Sequence, residues 1–198
     1  MRASFVRYLD LEVDLSFSGA SKELLEKLSN HSISNILTEA EPWEKDLRGW
    51  IQFVRCDNSL ICPDLVRQTM FVSMGLQFTD DSTISSLNSA WRKKNEKTDV
   101  LSFPVIDDKI GFPADQSVEL GDIVISLMTA EEQAHEQSHS LDTELRWLVS
   151  HGLLHLLGWD HLTPQTLKEM LCCQEQLLAI NGNLPIKIDK KGESDNAL

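Results

Sequence analysis

The segment from residue 151 to 161 constrains the fold more than any other part of the chain, and it reads HGLLHLLGWDH. His151 and His155 are four residues apart, so on a helix they lie one turn apart on the same face. Leucines dominate the surrounding sequence, which predicts a buried helix, and Gly158 can adopt the left-handed conformation that ends it. The chain then turns back, so His161 can approach the other two imidazoles.

Three imidazoles converging on one point are typical of a zinc centre. A catalytic zinc ion keeps three protein ligands and one open position, whereas a structural zinc ion usually has four protein ligands. The spacing equals that of the metzincin motif HExxHxxGxxH, but Gly152 stands where those proteases carry their general-base glutamate. We therefore predict a metzincin-like metal-binding helix without metzincin peptidase chemistry. Asp160 is the nearest fourth ligand in sequence, although it could instead orient a ligand imidazole or cap the turn at Gly158.

A second histidine pair, His135 and His139, has the same spacing. It lies in a polar, acidic stretch without a third partner, so we predict ordinary surface residues there. Burying an unliganded pair in an apolar helix would be costly. We therefore expect His151, His155 and His161 to bind a metal rather than to be incidental.

The remaining hydrophobic pattern predicts an α+β fold. Residues 9–17 alternate apolar and mostly acidic side chains, which is typical of a half-buried strand. We predict one compact catalytic domain over residues 1–186, with a mixed sheet of about four strands and five to six helices, followed by a disordered polar tail at 187–198. The predicted strands are 9–17, 69–79, 100–105 and 120–127; the predicted helices are 21–37, 43–54, 81–92, 129–137, 141–157 and 164–180; a loop is predicted at 107–119.

The overall charge argues against a broad nucleic-acid surface. The net charge is −13, and phosphates are bound by lysine and arginine. The charge is uneven, however: residues 105–145 hold ten acidic residues and one lysine, whereas residues 88–98 hold four basic residues and one acidic residue. An RNA site would therefore be a local positive patch on an acidic body.

The N-terminal sequence and the four cysteines bear on location. We expect no signal peptide, since the first residues lack an apolar stretch of signal length; no window is apolar enough to span a membrane, and the cysteine spacings match no common zinc or redox pattern. We expect reduced thiols, no membrane partner and a cytoplasmic location.

Three motifs resemble those of the YbeY family of endoribonucleases. HGLLHLLGWDH is similar to the family's HGxLHLxGxDH, LNSAWRKKNEKTDVLSFP at 87–104 is similar to LNxx[YF]R…TDVLSFP, and LGDIVIS at 120–126 is similar to LGDIxIS. The motifs occur in the family's order and cover about residues 69–180, whereas residues 1–68 match loosely. Trp91 and Trp159 stand where the family often has tyrosine or phenylalanine.

The resemblance implies a zinc-dependent endoribonuclease that cleaves single-stranded RNA, matures the 3′ end of 16S ribosomal RNA and acts in ribosome quality control. The implied partners are ribosomal RNA and ribosomal particles, with no DNA. One Zn²⁺ ion would be held by the three signature histidines, His151, His155 and His161. The family's functionally important arginine falls on Arg92, which we expect to stabilise charge on the phosphodiester. Asp99 and Ser102 could line the cleft.

Two other interpretations stay open from the residues alone. One is a zinc hydrolase of another substrate class, which Gly152 disfavours. The other is a non-catalytic ribosome assembly factor with a structural zinc. Composition alone would also allow Arg92 to be a solvated cation at a helix end. The oligomeric state cannot be read from the sequence, nor can the metal's identity, because imidazole accepts several divalent ions.

Overall fold

The structure, a computed structural model, describes residues 9–17, 34–106, 117–180 and 182. Seven helices and four strands lie within these ranges. In chain order they are β1 (Asp10–Phe17), α1 (Ser34–Thr38), α2 (Glu41–Cys56), α3 (Asp64–Gln68), β2 (Phe71–Thr79), α4 (Asp81–Arg92), β3 (Val100–Pro104), β4 (Val118–Ser126), α5 (Leu127–Glu136), α6 (Leu141–Leu156) and α7 (Pro164–Ile180).

The four strands form one mixed sheet in the order β1-β2-β4-β3. β1, β2 and β4 run parallel, and β3 pairs with β4 in the antiparallel direction. β3 is therefore an edge strand, and its side chains alternate between two environments. Val100, Ser102 and Pro104 line a cleft. Leu101 and Phe103 instead pack with Ile84 of α4.

Helix α6 lies at the centre of the molecule, in contact with β3, β4, α5 and α7. It begins after Ser140, whose hydroxyl accepts a hydrogen bond from the Thr143 amide at 3.1 Å. Arg146 fixes it to α2, because its guanidinium forms an ion pair with Asp46 and lies 5.5 Å from the Trp43 ring centroid. Leucines of α6 fill the space between the helix and the sheet. This packing holds the histidine-bearing part of α6 in place.

The predicted α+β class and four-stranded mixed sheet are confirmed. The structure has seven helices in its described part rather than five or six, because the one-turn helix α3 carries too little periodicity to be recognised. β4 begins at Val118, inside the predicted loop, because the exposed side chains of Glu119 and Asp122 on this strand resemble loop composition. Of the predicted helix 21–37 only α1 lies in the described residues, and the predicted tail 187–198 lies outside them.

Candidate metal centre and cleft

The structure brings the three signature histidines together. His151 and His155 face the same side of α6, and Gly158 has a φ of +91°, which reverses the chain at the end of the helix. The Trp159 amide closes this turn by donating to the Leu154 carbonyl at 3.0 Å. As a result one nitrogen from each imidazole lies within 4.8 Å of the others. This arrangement is compatible with one shared metal ion.

Two hydrogen bonds determine which nitrogens of the first two histidines carry protons. His155 Nδ1 lies 3.0 Å from the Trp159 carbonyl oxygen, which can only accept, so Nδ1 must donate. His151 Nδ1 lies 3.4 Å from Gln174 Oε1 and donates in the same way. In the neutral rings both Nε2 atoms therefore carry lone pairs.

The spacing of these lone pairs fits a bound cation. His151 Nε2 and His155 Nε2 are 3.2 Å apart, a distance at which two lone pairs repel each other unless a positive charge lies between them. Two nitrogens bound tetrahedrally to one zinc ion at about 2.0–2.1 Å would be about 3.3 Å apart. The donor set thus suits a divalent ion such as zinc in its chemistry, and the distance between the first two nitrogens fits one shared ion.

The protonation equilibria favour neutral imidazoles. Burial, reinforced by the neighbouring His151 and His161, lowers the pKa of His155 to about 4. Burial also lowers the pKa of His151, against the opposing effect of its hydrogen bond to Gln174. Both rings are therefore uncharged at neutral pH, which is the form that binds metals.

Gln174 is a functional candidate that the sequence reasoning missed. This buried residue of α7 donates through Nε2 to the Trp147 carbonyl at 2.8 Å and to Ser150 Oγ at 3.2 Å. Those two bonds fix the amide, so that its oxygen faces His151. A signal was present, because Gln174 interrupts the apolar row formed by Met170, Cys173 and Leu177.

Gly152 has a steric reason to be glycine. A Cβ atom there would lie 3.0 Å from Ile123 Cγ2 and 3.1 Å from Ser102 Oγ. The Ser102 hydroxyl also donates to the Gly152 carbonyl at 3.3 Å. A glutamate at the metzincin general-base position would therefore require Ile123 or Ser102 to shift by a few tenths of an ångström.

Asp160 does not contact a ligand imidazole. Its Oδ1 accepts a hydrogen bond from the backbone amide of His161 at 2.8 Å, and its side chain is exposed. This bond stabilises the chain at His161, and among the described residues Asp160 makes no hydrogen bond to the turn at Gly158.

The second histidine pair separates into two different environments. His135 is exposed, as predicted. The prediction of a surface residue is wrong for His139, whose Nε2 lies 2.5 Å from Glu144 Oε2 and whose side chain is only 14% exposed. This contact joins the start of α6 to the loop before it, and spacing alone does not reveal it.

The three imidazoles open into a cleft of about 930 Å³ between α4, β3 and α6. Arg92 lines this cleft, together with Lys94, Asp99 and Ser102. Within the part of the chain that the structure describes, the Arg92 side chain is exposed and makes no hydrogen bond or ion pair. The structure therefore places the predicted arginine and the predicted metal ligands in one cavity.

A hydrogen-bond network anchors the cationic side of the cleft. Asp81, at the start of α4, accepts from Thr129 Oγ1 at 2.8 Å and from Lys97 Nζ at 2.9 Å, and it also accepts from the Ser126 hydroxyl. The buried Asn88 side chain donates to the Glu96 carbonyl at 3.0 Å. These bonds hold the loop after Arg92 against the sheet.

Comparison with known proteins identifies the family. The sequence profile of the family described as "Endoribonuclease YbeY" matches residues 28–182. The chain is 54% identical over 176 residues to the endoribonuclease YbeY of Prochlorococcus marinus strain MIT 9313, covering 89% of this chain and 94% of the relative. It is 51% identical over 177 residues to that of Parasynechococcus marenigrum strain WH8102, covering 89% and 92%.

The chain belongs to the YbeY family. The prediction that it is a nuclease of the hydrolase class is thereby confirmed. The YbeY profile starts at residue 28 and so includes α2, further toward the N-terminus than the three motifs reach. A solution structure from Thermotoga maritima aligns with 92% of the chain at a TM-score of 0.46 and 20% identity, too weak a similarity to support a conclusion.

Proposed function

We propose that this YbeY-family protein is a zinc-dependent endoribonuclease that cleaves single-stranded RNA. In the cell it would process ribosomal RNA, including the 3′ end of 16S ribosomal RNA, and act in ribosome quality control. The observation that carries the proposal is the placement of three imidazoles and an arginine, which has no partner among the described residues, in one cleft of a YbeY-family chain.

Each of these residues has a defined part in the proposed reaction. His151, His155 and His161 would hold one Zn²⁺ ion, with Gln174 and the Trp159 carbonyl keeping the first two rings in the correct tautomer. Zinc, when bound, supplies Lewis acidity toward a phosphoryl oxygen or water. Arg92 would bind the phosphate oxygens through its planar guanidinium and stabilise charge that develops during cleavage.

The cleft favours a single strand over a duplex. The three imidazoles are only partly exposed, so a phosphodiester must enter the cleft to reach them. A flexible strand can do so, whereas a stacked duplex presents its phosphates on a rigid helical surface. The local excess of positive charge at residues 88–98 would attract the phosphates to this part of an otherwise acidic protein.

The geometry does not favour a structural zinc. Among the described residues, the three histidines form the only metal-type cluster, and the nearby Asp160 carboxylate accepts from a backbone amide. Three protein ligands leave one position open for substrate or solvent. A peptidase is disfavoured as well, because no side chain fits at Gly152 without a shift of Ile123 or Ser102.

The proposed partners are ribosomal RNA and ribosomal particles, and the proposed location is the cytoplasm. Among the residues described, no helix is both long enough and apolar enough to cross a bilayer. Co-sedimentation of the tagged protein with small ribosomal subunits from a cell extract tests the partnership.

The function itself is tested by cleavage of a short unstructured RNA. The purified protein should cut this RNA internally, should leave the same sequence as a duplex or as single-stranded DNA intact, and should lose activity after treatment with a chelator. Stoichiometric zinc should restore cleavage to the wild-type chain but not to His161→Ala. Undiminished cleavage after complete metal removal would contradict the proposal, as would inactivity of the zinc-loaded protein on RNA.

A further inference from the structure

Trp91 is unusually exposed for a tryptophan. Its side chain is 70% exposed, although tryptophan is ordinarily well buried. It continues the row of α4 side chains that begins with Ile84 and Leu87 and packs on the sheet, but it extends beyond that cluster. The packing of α4 therefore does not account for most of the indole surface.

One contact holds the indole in position. Its ring centroid lies 5.7 Å from that of Phe103 on the edge strand β3, at an interplanar angle of 64°. At such an angle the edge of one ring meets the face of the other, so Phe103 cannot cover both faces of the indole. At least one broad face of Trp91 thus remains open, while the aromatic contact limits its mobility.

The surroundings of Trp91 suit a polyanion. Arg92 and Lys94 line the cleft of the metal centre, and Lys93 lies between them at the end of α4 with an exposed side chain. Trp91 immediately precedes these three cations. An open aromatic face directly beside a run of cations combines stacking with phosphate attraction, which is how proteins bind single strands of nucleic acid.

We propose that Trp91 is a stacking platform for one unpaired base of the RNA whose backbone crosses the cleft. This inference rests on the proposed function, since it assigns a base subsite to the same substrate. The cations would position phosphates, and the indole would hold a neighbouring base without reading its identity. Trp91 is thus a substrate-binding residue and takes no part in bond cleavage.

A protein partner is the less favoured occupant of this surface. Cores of protein–protein interfaces are depleted in lysine, whereas two lysines and an arginine follow Trp91 directly. A strand of nucleic acid matches both features, because its phosphates suit the cations and its bases suit the flat indole face.

The test is a cycle that combines variants of Trp91 with RNAs that each lack one base. Wild-type protein and Trp91→Leu are compared, both zinc-loaded, on an intact short RNA and on a series of otherwise identical RNAs with an abasic site at successive positions. On the intact RNA, Trp91→Leu should lower kcat/KM about 5- to 150-fold, mainly through KM. At one abasic position the two proteins should become equal, because the stacked base is already absent.

Three controls separate stacking from other roles. Trp91→Phe keeps an aromatic face and should stay within roughly threefold of wild type. Phe71→Leu alters another exposed aromatic residue, one that no run of cations follows, and should have no effect. Zinc content and the unfolding midpoint should be unchanged in Trp91→Leu.

Several results would overturn the inference. Equal kcat/KM for wild type and Trp91→Leu on the intact RNA would exclude a base subsite. An equal loss at every abasic position would assign Trp91 a structural role instead. Loss of a protein partner without loss of RNA affinity would make the surface a protein-docking site. Failure of the wild type to cleave any RNA would contradict the proposed function itself, and is distinguishable from these.

Discussion

Arg92 is the residue whose chemistry most directly links the cleft to phosphodiester cleavage. It is exposed, lines the cleft and has no partner among the described residues. Arg92→Glu should therefore lower kcat for RNA cleavage by at least about 10²- to 10³-fold, the usual effect of losing a group that stabilises a transition state. Zinc content should not change, because the three nitrogens of the metal-type cluster come from His151, His155 and His161 and none from Arg92.

Lys168→Glu makes the matched control for Arg92→Glu. It introduces the same change of charge at an exposed position of α7 that does not line the cleft. If both variants lose activity equally, net charge is responsible; if Arg92→Glu cleaves RNA at the normal rate, the role assigned to Arg92 is wrong.

Gln174 acts on the metal centre through His151. Gln174→Leu removes the oxygen that accepts from His151 Nδ1. The tautomer and the orientation of the His151 ring are then no longer fixed. Zinc affinity should fall about 10- to 100-fold, the usual effect of losing such a partner. Cleavage should recover when zinc is supplied in excess.

The measurement is a competition titration of zinc against a chelator of known affinity. Gln165→Leu, at an exposed position at the start of the same helix, should leave the affinity unchanged. Unchanged affinity in Gln174→Leu would show that the amide does not support the metal centre.

At the scale of elements, Gly121 determines how the edge strand meets β4. Its φ is +116°, and a Cβ atom there would lie 2.0 Å from the Phe103 carbonyl oxygen. Gly121→Ala should lower the free energy of unfolding by about 2–4 kcal/mol, because backbone strain and a clash with β3 combine. Urea denaturation measures the loss.

Gly182→Ala separates these two causes. Gly182 also has a positive φ, +76°, but no atom of the described residues lies within 4 Å of its Cβ position. Gly182→Ala should therefore lower the free energy of unfolding by only about 1 kcal/mol. An equally small loss in Gly121→Ala would mean that β3 can shift away from the added methyl group.

Asp81 connects α4 to the start of α5 and makes that junction sensitive to acid. Burial alone would raise the pKa of Asp81, but hydrogen bonds from Ser126, Lys97 and Thr129 outweigh it and hold the pKa below its usual value. A depressed folded-state pKa stabilises the fold at neutral pH, and this contribution is lost as the pH falls through that pKa.

Asp81→Asn should therefore lower the free energy of unfolding by about 1–2 kcal/mol at pH 7 and by less in acid. Chemical denaturation across a pH series would measure it. Glu175→Gln, an exposed carboxylate on α7, should leave the pH profile unchanged. A loss from Asp81→Asn that is the same at every pH would rule out the charge as its cause.

The parts of the fold that the sequence predicted are those encoded over short distances. The convergence of His151, His155 and His161 follows from helical periodicity and from the glycine that ends the helix, and both features lie within the short segment 151–161. The interaction of Gln174 with His151 spans 23 residues and depends on how α7 packs on α6, which no local pattern contains. The early start of β4 was likewise missed, since its partner is the distant strand β2.

At the scale of the whole molecule, the charge distribution predicts a weak dependence of RNA affinity on salt. The net charge of −13 repels RNA. Among the described residues, Arg92 and Lys94 line the cleft without an ion pair, with the exposed Lys93 between them in sequence, whereas Lys97 is paired with Asp81 and Glu132. Three phosphate contacts on a single strand give a slope of about −2 for the logarithm of affinity against the logarithm of salt concentration.

The slope is measured from the RNA affinity over a series of salt concentrations. Repeating this measurement on Lys93→Gln/Lys94→Gln tests which residues produce the slope. Their removal should bring it to about −0.7, the value for one remaining contact. A wild-type slope near zero, or one unchanged in the double variant, would mean that the phosphates bind elsewhere.

The open coordination position of the metal is tested most directly by zinc X-ray absorption spectroscopy on the zinc-loaded protein. An open position requires three imidazole nitrogens at about 2.0–2.1 Å and one oxygen from solvent, with one imidazole lost in His161→Ala. A fourth protein ligand in the zinc shell, or a spectrum that His161→Ala does not change, would contradict it.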